Sequence, residues 1–277
     1  MTLLEQAMAP DTLNLAWKRL RNEHTPWSEH INRNELQWDL MRHILELRED
    51  VLTGNYRPSP LRRFTMKKPD GRKRILSAQY LRDKLVQRAL LIVLEPRAEA
   101  IFHEDSYAYR PGRGVPQALA RTKERIRYGL DWLVDADIRQ FFDSIPLAPL
   151  KKQLRGFVND RQTMRLIDAW LEKGMHNSSI LGTRRGIAQG AILSPLMCNL
   201  YLHQFDQMLT RNNIPFVRFA DDFLLFCADK KRAEKAMETA KHALEKLDLR
   251  LHPKKTRVIR SNPGARFLGE RLPQPSR

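Results

Sequence analysis

Two adjacent carboxylates, Asp221 and Asp222, stand between two apolar runs and are well placed to do chemistry. The runs cover residues 214–218 and 223–227, and their pattern predicts a β-hairpin whose tight turn carries the acids. Carboxylates on a rigid hairpin suit Mg²⁺, which takes hard oxygen ligands and completes its shell with substrate phosphates. Acidic residues are also common in ordinary solvated turns, so the pair alone leaves both interpretations open.

Asp137 is the candidate for a further carboxylate. Two-metal phosphoryl transfer uses two ions about 3.5–4 Å apart, and one turn cannot hold both. Asp137 ends the run 132–138, whose composition predicts a β-strand. Asp135 is expected on the same face of that strand, whereas Asp143 is expected to be a turn or helix-cap acid. Because Asp137 is remote from Asp221 in sequence, only the fold could bring the two together.

Helices and strands alternate along the chain around these acids. A basic hairpin is predicted around 62–76, where the Asp70-Gly71 pair supplies the positive φ of a tight turn. Short strands are predicted at 257–260 and 266–268. Apolar periodicity predicts helices at 11–22, 35–52, 81–102, 147–157, 161–173, 191–210 and 230–247. This order predicts an α+β fold: an antiparallel sheet with helices packed on one face.

The composition favours a partner that is a polyanion. The formal charge is +17, from 49 Lys and Arg against 32 Asp and Glu, which indicates nucleic acid first and an anionic membrane surface second. No apolar run approaches the roughly 20 residues of a spanning helix, and no signal-peptide pattern opens the chain. Cys198 and Cys227 are the two cysteines, too few for a disulfide scaffold and typical of a reducing compartment. We therefore expect a soluble cytoplasmic protein with no membrane partner.

A series of motifs occurs in a fixed order between about residue 55 and residue 270. The motifs cover residues 66–74, 82–96, 106–113, 137–145, 185–196, 219–222, 255–256 and 267–269. In this order they resemble the reverse transcriptases of the group II intron-like prokaryotic lineage. The resemblance extends over most of the chain, and it changes the expected role of the Asp-Asp turn from solvated acids to a metal site.

The resemblance implies a set of metal ligands. Asp137 and Asp221 would be the main ligands, Asp222 would be a weaker one, and the backbone carbonyl of Ile138 would complete a site. Two Mg²⁺ ions are implied, which Mn²⁺ can replace. Lys255 would protonate the leaving pyrophosphate, although the adjacent Lys254 could fill that role or both lysines could form a solvated charge pair.

The resemblance also implies residues that contact the nucleotide. Phe142 matches an aromatic ring that closes the sugar pocket against a 2′-hydroxyl, the alternative being a plain core phenylalanine. Gln189 matches a residue that reaches the incoming nucleotide or the template. Lys68 and Arg74 would grip the triphosphate, or else would belong to a general face that binds the nucleic-acid backbone.

The implied architecture is that of a right-hand polymerase with fingers and palm. Residues 1–55 would form an N-terminal helical extension, residues 56–130 the fingers and residues 131–277 the palm. Eight residues follow Gly269, so we expect the thumb to be absent or minimal. The turn also begins with Phe219, where this family usually has Tyr, a change that removes a hydroxyl but no metal ligand.

The residues of two motifs, at 135–139 and 109–113, indicate which branch of the family the chain resembles. These resemble CRISPR-associated reverse transcriptases, which implies spacer acquisition from RNA with the CRISPR integrase and its adaptor as partners. The implied substrates are an RNA template, a DNA or RNA primer and deoxynucleoside triphosphates. The alternatives are a solitary retroelement or phage-defence reverse transcriptase and, in a different class, a catalytically silent RNA-binding scaffold.

Overall fold

The computed structural model describes residues 1–67, 73–174 and 184–274, with only the backbone described at 73–75. In chain order the helices are α1 (Leu3–Ala7), α2 (Pro10–Leu20), α3 (Arg33–Trp38), α4 (Leu40–Thr53), α5 (Leu81–Glu99), α6 (Val115–Arg127), α7 (Phe141–Ser144), α8 (Leu147–Val158), α9 (Arg161–Gly174), α10 (Ser194–Arg211) and α11 (Lys230–Lys246). The strands are β1 (Arg62–Lys67), β2 (Lys73–Ala78), β3 (Trp132–Asp137), β4 (Phe216–Phe219), β5 (Asp222–Cys227), β6 (Arg257–Arg260), β7 (Arg266–Phe267) and β8 (Glu270–Arg271).

The chain forms two compact units. The first, here called the hairpin unit, contains residues 1–100 and 146–197, and the second, here called the sheet unit, contains residues 101–145 and 198–277. These boundaries differ from the predicted division at 55 and 130 because compactness reflects packing, and the segment 146–197 packs with the N-terminal helices. The assignment of fingers and palm to particular residues stays a prediction.

The hairpin unit combines the basic hairpin with a bundle of helices. Strands β1 and β2 are antiparallel, with Met66 opposite Arg74. Helix α5 packs against α1 and α2, and its fully buried residues include Leu85, Ala89 and Leu90. The helix predicted at 81–102 is therefore present, and it ends at residue 99.

The sheet unit is built on an antiparallel sheet, whose strand order within the described residues is β4-β5-β3-β6. Helix α11 packs against β3, β5 and β6. Helix α10 packs on one face, where the Phe205 ring lies 5.1 Å from that of Phe223 between centroids. The predicted α+β fold with an antiparallel palm sheet is confirmed.

The opposite face of the sheet bears the acids and is partly covered. Leu133, Leu224 and Phe226 share this face, because each is paired in register and alternates with the residues that face α10. They form a buried core with Ile126 of α6 and Phe267 of β7. Helix α6 was not predicted, and it adds a layer over this face that leaves the acid-bearing end of the strands outside the core cluster.

None of the helices in the described ranges is long and apolar enough to span a membrane. The expected cytoplasmic location stays a prediction.

Candidate functional site

Strand register brings the predicted acids together. Asp137, the last residue of β3, lies directly opposite Asp222, the first residue of β5. Paired residues project to the same side of a sheet, so the two carboxylates share a face, and Asp135 shares it from two positions earlier. Asp221 lies in the turn, and its carbonyl accepts a hydrogen bond of 3.1 Å from the Ile138 amide. The predicted hairpin therefore carries Asp221 in its turn and Asp222 on its strand.

The turn itself is conformationally unusual. Ala220 has a φ of 58°, in the left-handed region that costs a residue with a Cβ roughly 1–2 kcal/mol. Ala220 is also buried, with 6% of its surface exposed. Backbone strain of this kind persists only where surrounding contacts hold it, and it concentrates at functional sites.

A buried arginine provides such a contact. The Arg218 side chain is fully buried, and its Nη1 donates a hydrogen bond of 3.1 Å to the Ala220 carbonyl. Its Nε and Nη2 donate to the two carboxylate oxygens of Asp206 at 2.7 and 2.6 Å. Nη1 also donates to Asn199 Oδ1 at 3.0 Å. Sequence reasoning treated Arg218 as an ordinary strand residue, and a charge inside an apolar run was the available signal.

The acids create a strongly negative site. Burial, together with the nearby charges of Asp135, Asp137 and Asp221, raises the pKa of Asp222 to about 7. Burial also raises the pKa of Asp135, against the opposing effect of Arg257, whose Nε donates to Asp135 Oδ2 at 2.9 Å. Clustered carboxylates resist being ionised at the same time, and a bound cation would stabilise their ionised forms.

Lys255 supplies positive charge to this cluster. Its Nζ lies 2.5 Å from Asp137 Oδ2, and this hydrogen bond, more than the charges of the neighbouring acids, raises the pKa of Lys255. Lys254 is exposed, and its amide donates to His252 Nδ1. The ion pair therefore places Lys255 at the acids, whereas its role as a general acid stays a prediction.

The donor chemistry fits a hard divalent cation. Asp137 and Asp222 are carboxylates on directly opposed residues of neighbouring strands, and carboxylate oxygens are the ligands that such a cation prefers. Among the described residues, no group of three or more His, Cys, Asp or Glu side chains is arranged to hold a metal ion. The ligand roles of Asp137, Asp221, Asp222 and the Ile138 carbonyl therefore stay predictions.

Phe142 follows Asp137 closely in sequence and lies in helix α7. Helix α7 follows Gln140, whose φ is 47°. Phe141 is buried, whereas Phe142 is partly exposed and contacts Phe141 edge to face at 5.8 Å between centroids. Phe142 is thus not a fully buried core residue, which keeps its predicted role at the sugar pocket open.

The loop that carries Gln189 belongs to the hairpin unit and is docked on β2. The Gln189 carbonyl accepts a 2.9 Å hydrogen bond from the Ser77 amide. Gly190 has a φ of 101°, and a Cβ there would lie 2.6 Å from the Ser77 carbonyl oxygen. Close backbone approach therefore requires glycine at this position.

Two buried glutamines, one just before α5 and one within it, hydrogen-bond to the same loop. Gln79 Oε1 accepts a hydrogen bond from the Ile192 amide, and Gln87 Oε1 accepts one from the Leu193 amide, both at 3.2 Å. Both glutamines are nearly inaccessible to solvent, so these bonds replace water that the loop amides would otherwise bind. Sequence reasoning did not identify either residue as a support.

The predicted triphosphate contacts are only partly described. Lys68 lies outside the described residues. Arg74 is described by its backbone, which pairs with Met66 in the basic hairpin. The role of both residues stays a prediction.

Comparison with known proteins gives one consistent result. A family model described as reverse transcriptase (RNA-dependent DNA polymerase) matches residues 66–272. Protein YkfC of Escherichia coli is 31% identical, over 91% of this chain and 77% of that protein. The group II intron-encoded protein LtrA of Lactococcus lactis is 28% identical, over 89% of this chain but only 41% of LtrA.

Solved structures agree with the sequence comparisons. A partial Cas6-RT-Cas1–Cas2 complex contains a chain that is 26% identical, with a TM-score of 0.52, covering 89% of this chain and 41% of that one. Telomerase from Candida albicans has a TM-score of 0.57 at 11% identity, covering 86% of this chain and 48% of that one, which is a likeness of fold alone. The chain thus spans less than half the length of these larger proteins.

Proposed function

The chain belongs to the reverse transcriptase family, whose members are RNA-dependent DNA polymerases and generally use divalent metals such as Mg²⁺, and we propose that it copies RNA into DNA by a two-metal-ion mechanism. The observation that carries this proposal is the register that sets Asp222 opposite Asp137, with Asp221 in the adjoining turn. Family membership implies an RNA template and a primer, and deoxynucleoside triphosphates are the proposed substrates.

The acids would serve as ligands from two neighbouring strands and one turn. Asp137 and Asp221 would be the main ligands, with Asp222 and the Ile138 carbonyl completing the set. Bound Mg²⁺ would activate the attacking primer hydroxyl and neutralise charge on the leaving pyrophosphate. Lys255 would orient Asp137 through their ion pair and would donate its proton to the leaving pyrophosphate.

The remaining residues would select and hold the substrates. The partly exposed Phe142 ring would exclude a 2′-hydroxyl by steric contact. Gln189 would contact the nucleotide or the template from a loop that its neighbours hold rigidly. Lys68 and Arg74, on the basic hairpin, would bind the triphosphate.

The test compares Asp221→Ala with Asp143→Ala in primer extension on an RNA template. Asp143 is an exposed acid of α7 in the same unit and controls for loss of a negative charge. We expect Asp221→Ala to abolish Mg²⁺-dependent extension while RNA binding persists, and Asp143→Ala to retain extension. Unchanged extension by Asp221→Ala would refute the assignment, and RNA binding without extension by the wild type would favour the silent scaffold.

We further propose that the chain acts in CRISPR spacer acquisition from RNA, with the CRISPR integrase and its adaptor as partners. The 26% identity to a chain of the Cas6-RT-Cas1–Cas2 complex supports this branch. The 28% identity to an intron-encoded protein supports the alternative of a solitary retroelement enzyme. A CRISPR array and an integrase gene beside the coding sequence, with copurification of the integrase, would favour the first; their absence would favour the second.

A further inference from the structure

Arg218 reaches the acid-bearing turn from behind the sheet. It pairs in register with Phe223, so it projects to the face that packs on α10, whereas Asp222 and Asp137 project to the other face. Its Nη1 nevertheless donates to the carbonyl of Ala220, two residues further along the chain. We propose that Arg218 is a positioning residue that holds the Ala220–Asp221 turn, and so the orientation of the acids, through this hydrogen bond.

The guanidinium is itself held from several directions. Asp206 accepts from it bidentately, and both side chains are fully buried. Asn199 accepts from Nη1 through Oδ1, and its Nδ2 donates to the Ala108 carbonyl at 2.8 Å. Because the planar guanidinium has hydrogen-bond partners in several directions, it has one orientation. The residues on the α10 side of the unit therefore define the position of Nη1.

The turn needs such a restraint because of its backbone. Ala220 has a positive φ that its Cβ disfavours. The carbonyl of the strained residue accepts from Arg218, and the carbonyl of the next residue, Asp221, accepts from the Ile138 amide. Loss of the hydrogen bond from Arg218 would let the turn relax. It would also weaken the hydrogen bond from the Ile138 amide, which links the turn to the strand that carries Asp137.

The consequence is catalytic, and in this respect it rests on the proposed function. A side chain displaced by about 1 Å from a reacting geometry can cost roughly 100-fold in rate. Lysine at position 218 keeps a positive charge for Asp206. Its compact ammonium group, unlike the planar guanidinium, does not donate to Asp206 and to the Ala220 carbonyl together. We therefore expect Arg218→Lys to lower kcat by roughly 100-fold, with the dissociation constant of the template–primer changed less than about threefold because the affinity comes largely from phosphate contacts elsewhere.

Arg125→Lys is the matched control. Arg125 belongs to the same unit, pairs with Asp105 at 2.6 Å and donates to the carbonyl of Phe216 at the start of the same strand, but does not contact the turn. Both substitutions should lower thermal stability, but only Arg218→Lys should lower kcat. Equal kcat in the two folded variants would overturn the proposal.

A second substitution tests the strain directly. Glycine adopts positive φ freely, so adding Ala220→Gly to Arg218→Lys should raise kcat above that of Arg218→Lys alone, by roughly tenfold if it recovers about 1.4 kcal/mol of strain. A double variant no more active than Arg218→Lys would contradict the role assigned to the turn.

If Arg218→Lys does not fold, Asn199→Ala replaces it, because this change removes one partner of Nη1 and leaves the ion pair. A kcat equal to that of Arg125→Lys would then overturn the proposal.

Hydrogen exchange separates this inference from the proposed function. The amide of Ile138 should exchange faster in Arg218→Lys than in Arg125→Lys, because its acceptor is the Asp221 carbonyl. If the wild type makes no DNA, the proposed function fails, and faster exchange at Ile138 would still support positioning. Unchanged exchange at Ile138 would overturn positioning even in an active polymerase.

Discussion

Removal of Asp206 should destabilise the protein far more than removal of an ordinary ion pair. Asp206 and Arg218 are both fully buried, and the carboxylate accepts from two guanidinium nitrogens. Asp206→Ala would leave the guanidinium charge in the core without a carboxylate or water. Breaking a buried pair by deleting one partner costs about 3–5 kcal/mol, and at about 2–4 °C per kcal/mol for a chain of this size Tm should fall by roughly 10 °C.

The matched control is Asp131→Ala. The Asp131 side chain is also largely buried, at 9% exposure, but its partner Arg260 is 60% exposed. The freed guanidinium is exposed and can therefore hydrate, so we expect a cost of about 1 kcal/mol, close to the roughly 0–1 kcal/mol that is typical of surface ion pairs. The difference in the free energy of unfolding between the two variants measures the cost of leaving a buried charge without its partner.

A double substitution separates charge from shape. In Asp206→Leu with Arg218→Met, both charges are replaced by apolar groups of similar length, and such replacements are often neutral or stabilising by about 1–4 kcal/mol. We expect the double variant to be more stable than Asp206→Ala in chemical denaturation, yet still poor in DNA synthesis because the Ala220 carbonyl has lost its donor. An Asp206→Ala variant within about 1 kcal/mol of wild type, or no more destabilised than Asp131→Ala, would refute the reasoning.

Three further predictions concern other parts of the chain. Phe142→Ala should raise ribonucleotide incorporation relative to deoxynucleotides in primer extension; unchanged discrimination would show that the ring is not the gate. Gly190→Ala should displace the loop of Gln189, because its Cβ would meet the Ser77 carbonyl at 2.6 Å, and we expect a loss of about 2 kcal/mol in denaturant unfolding; wild-type stability would contradict this. Burial lowers the pKa of His203, so the unfolded chain binds more protons than the folded one and His203 adds a component of stability that rises with pH up to about 6.5. His203→Gln should remove this component, and an unchanged pH dependence of Tm would contradict it.

The sequence predicted the elements around the site because their signals are local. The apolar runs around Asp221 and Asp222 became β4 and β5, and the run that ends at Asp137 became β3. Helix α6 was missed because only two of its four buried residues, Leu119 and Ile126, are large and apolar, and because its exposed face is strongly charged. Small residues carry a weak hydrophobic signal even when their spacing is helical.

The supports of the site were less accessible to sequence reasoning. Gln79 and Gln87 are polar residues that look solvent-exposed along the chain, yet they are buried acceptors for the loop of Gln189. Arg218 belongs to a run that predicted only a strand, yet its charged side chain is buried beside Asp206 on α10, which pairs with it. A buried polar residue is stable only beside its partner, and that partner is identified by the fold.

The sequence by itself determined the local elements, the identity of the acids and the order of motifs by which the family can be recognised. Only the tertiary structure decided that Asp222 faces Asp137, that Lys255 rather than Lys254 pairs with Asp137, and that Arg218 holds the turn from the opposite face. The physical reason is that hydrophobic periodicity specifies each strand and its faces within a few residues. Strand order and register depend instead on packing between segments far apart in the chain, and a one-residue shift in register would turn an acid from the site to the core.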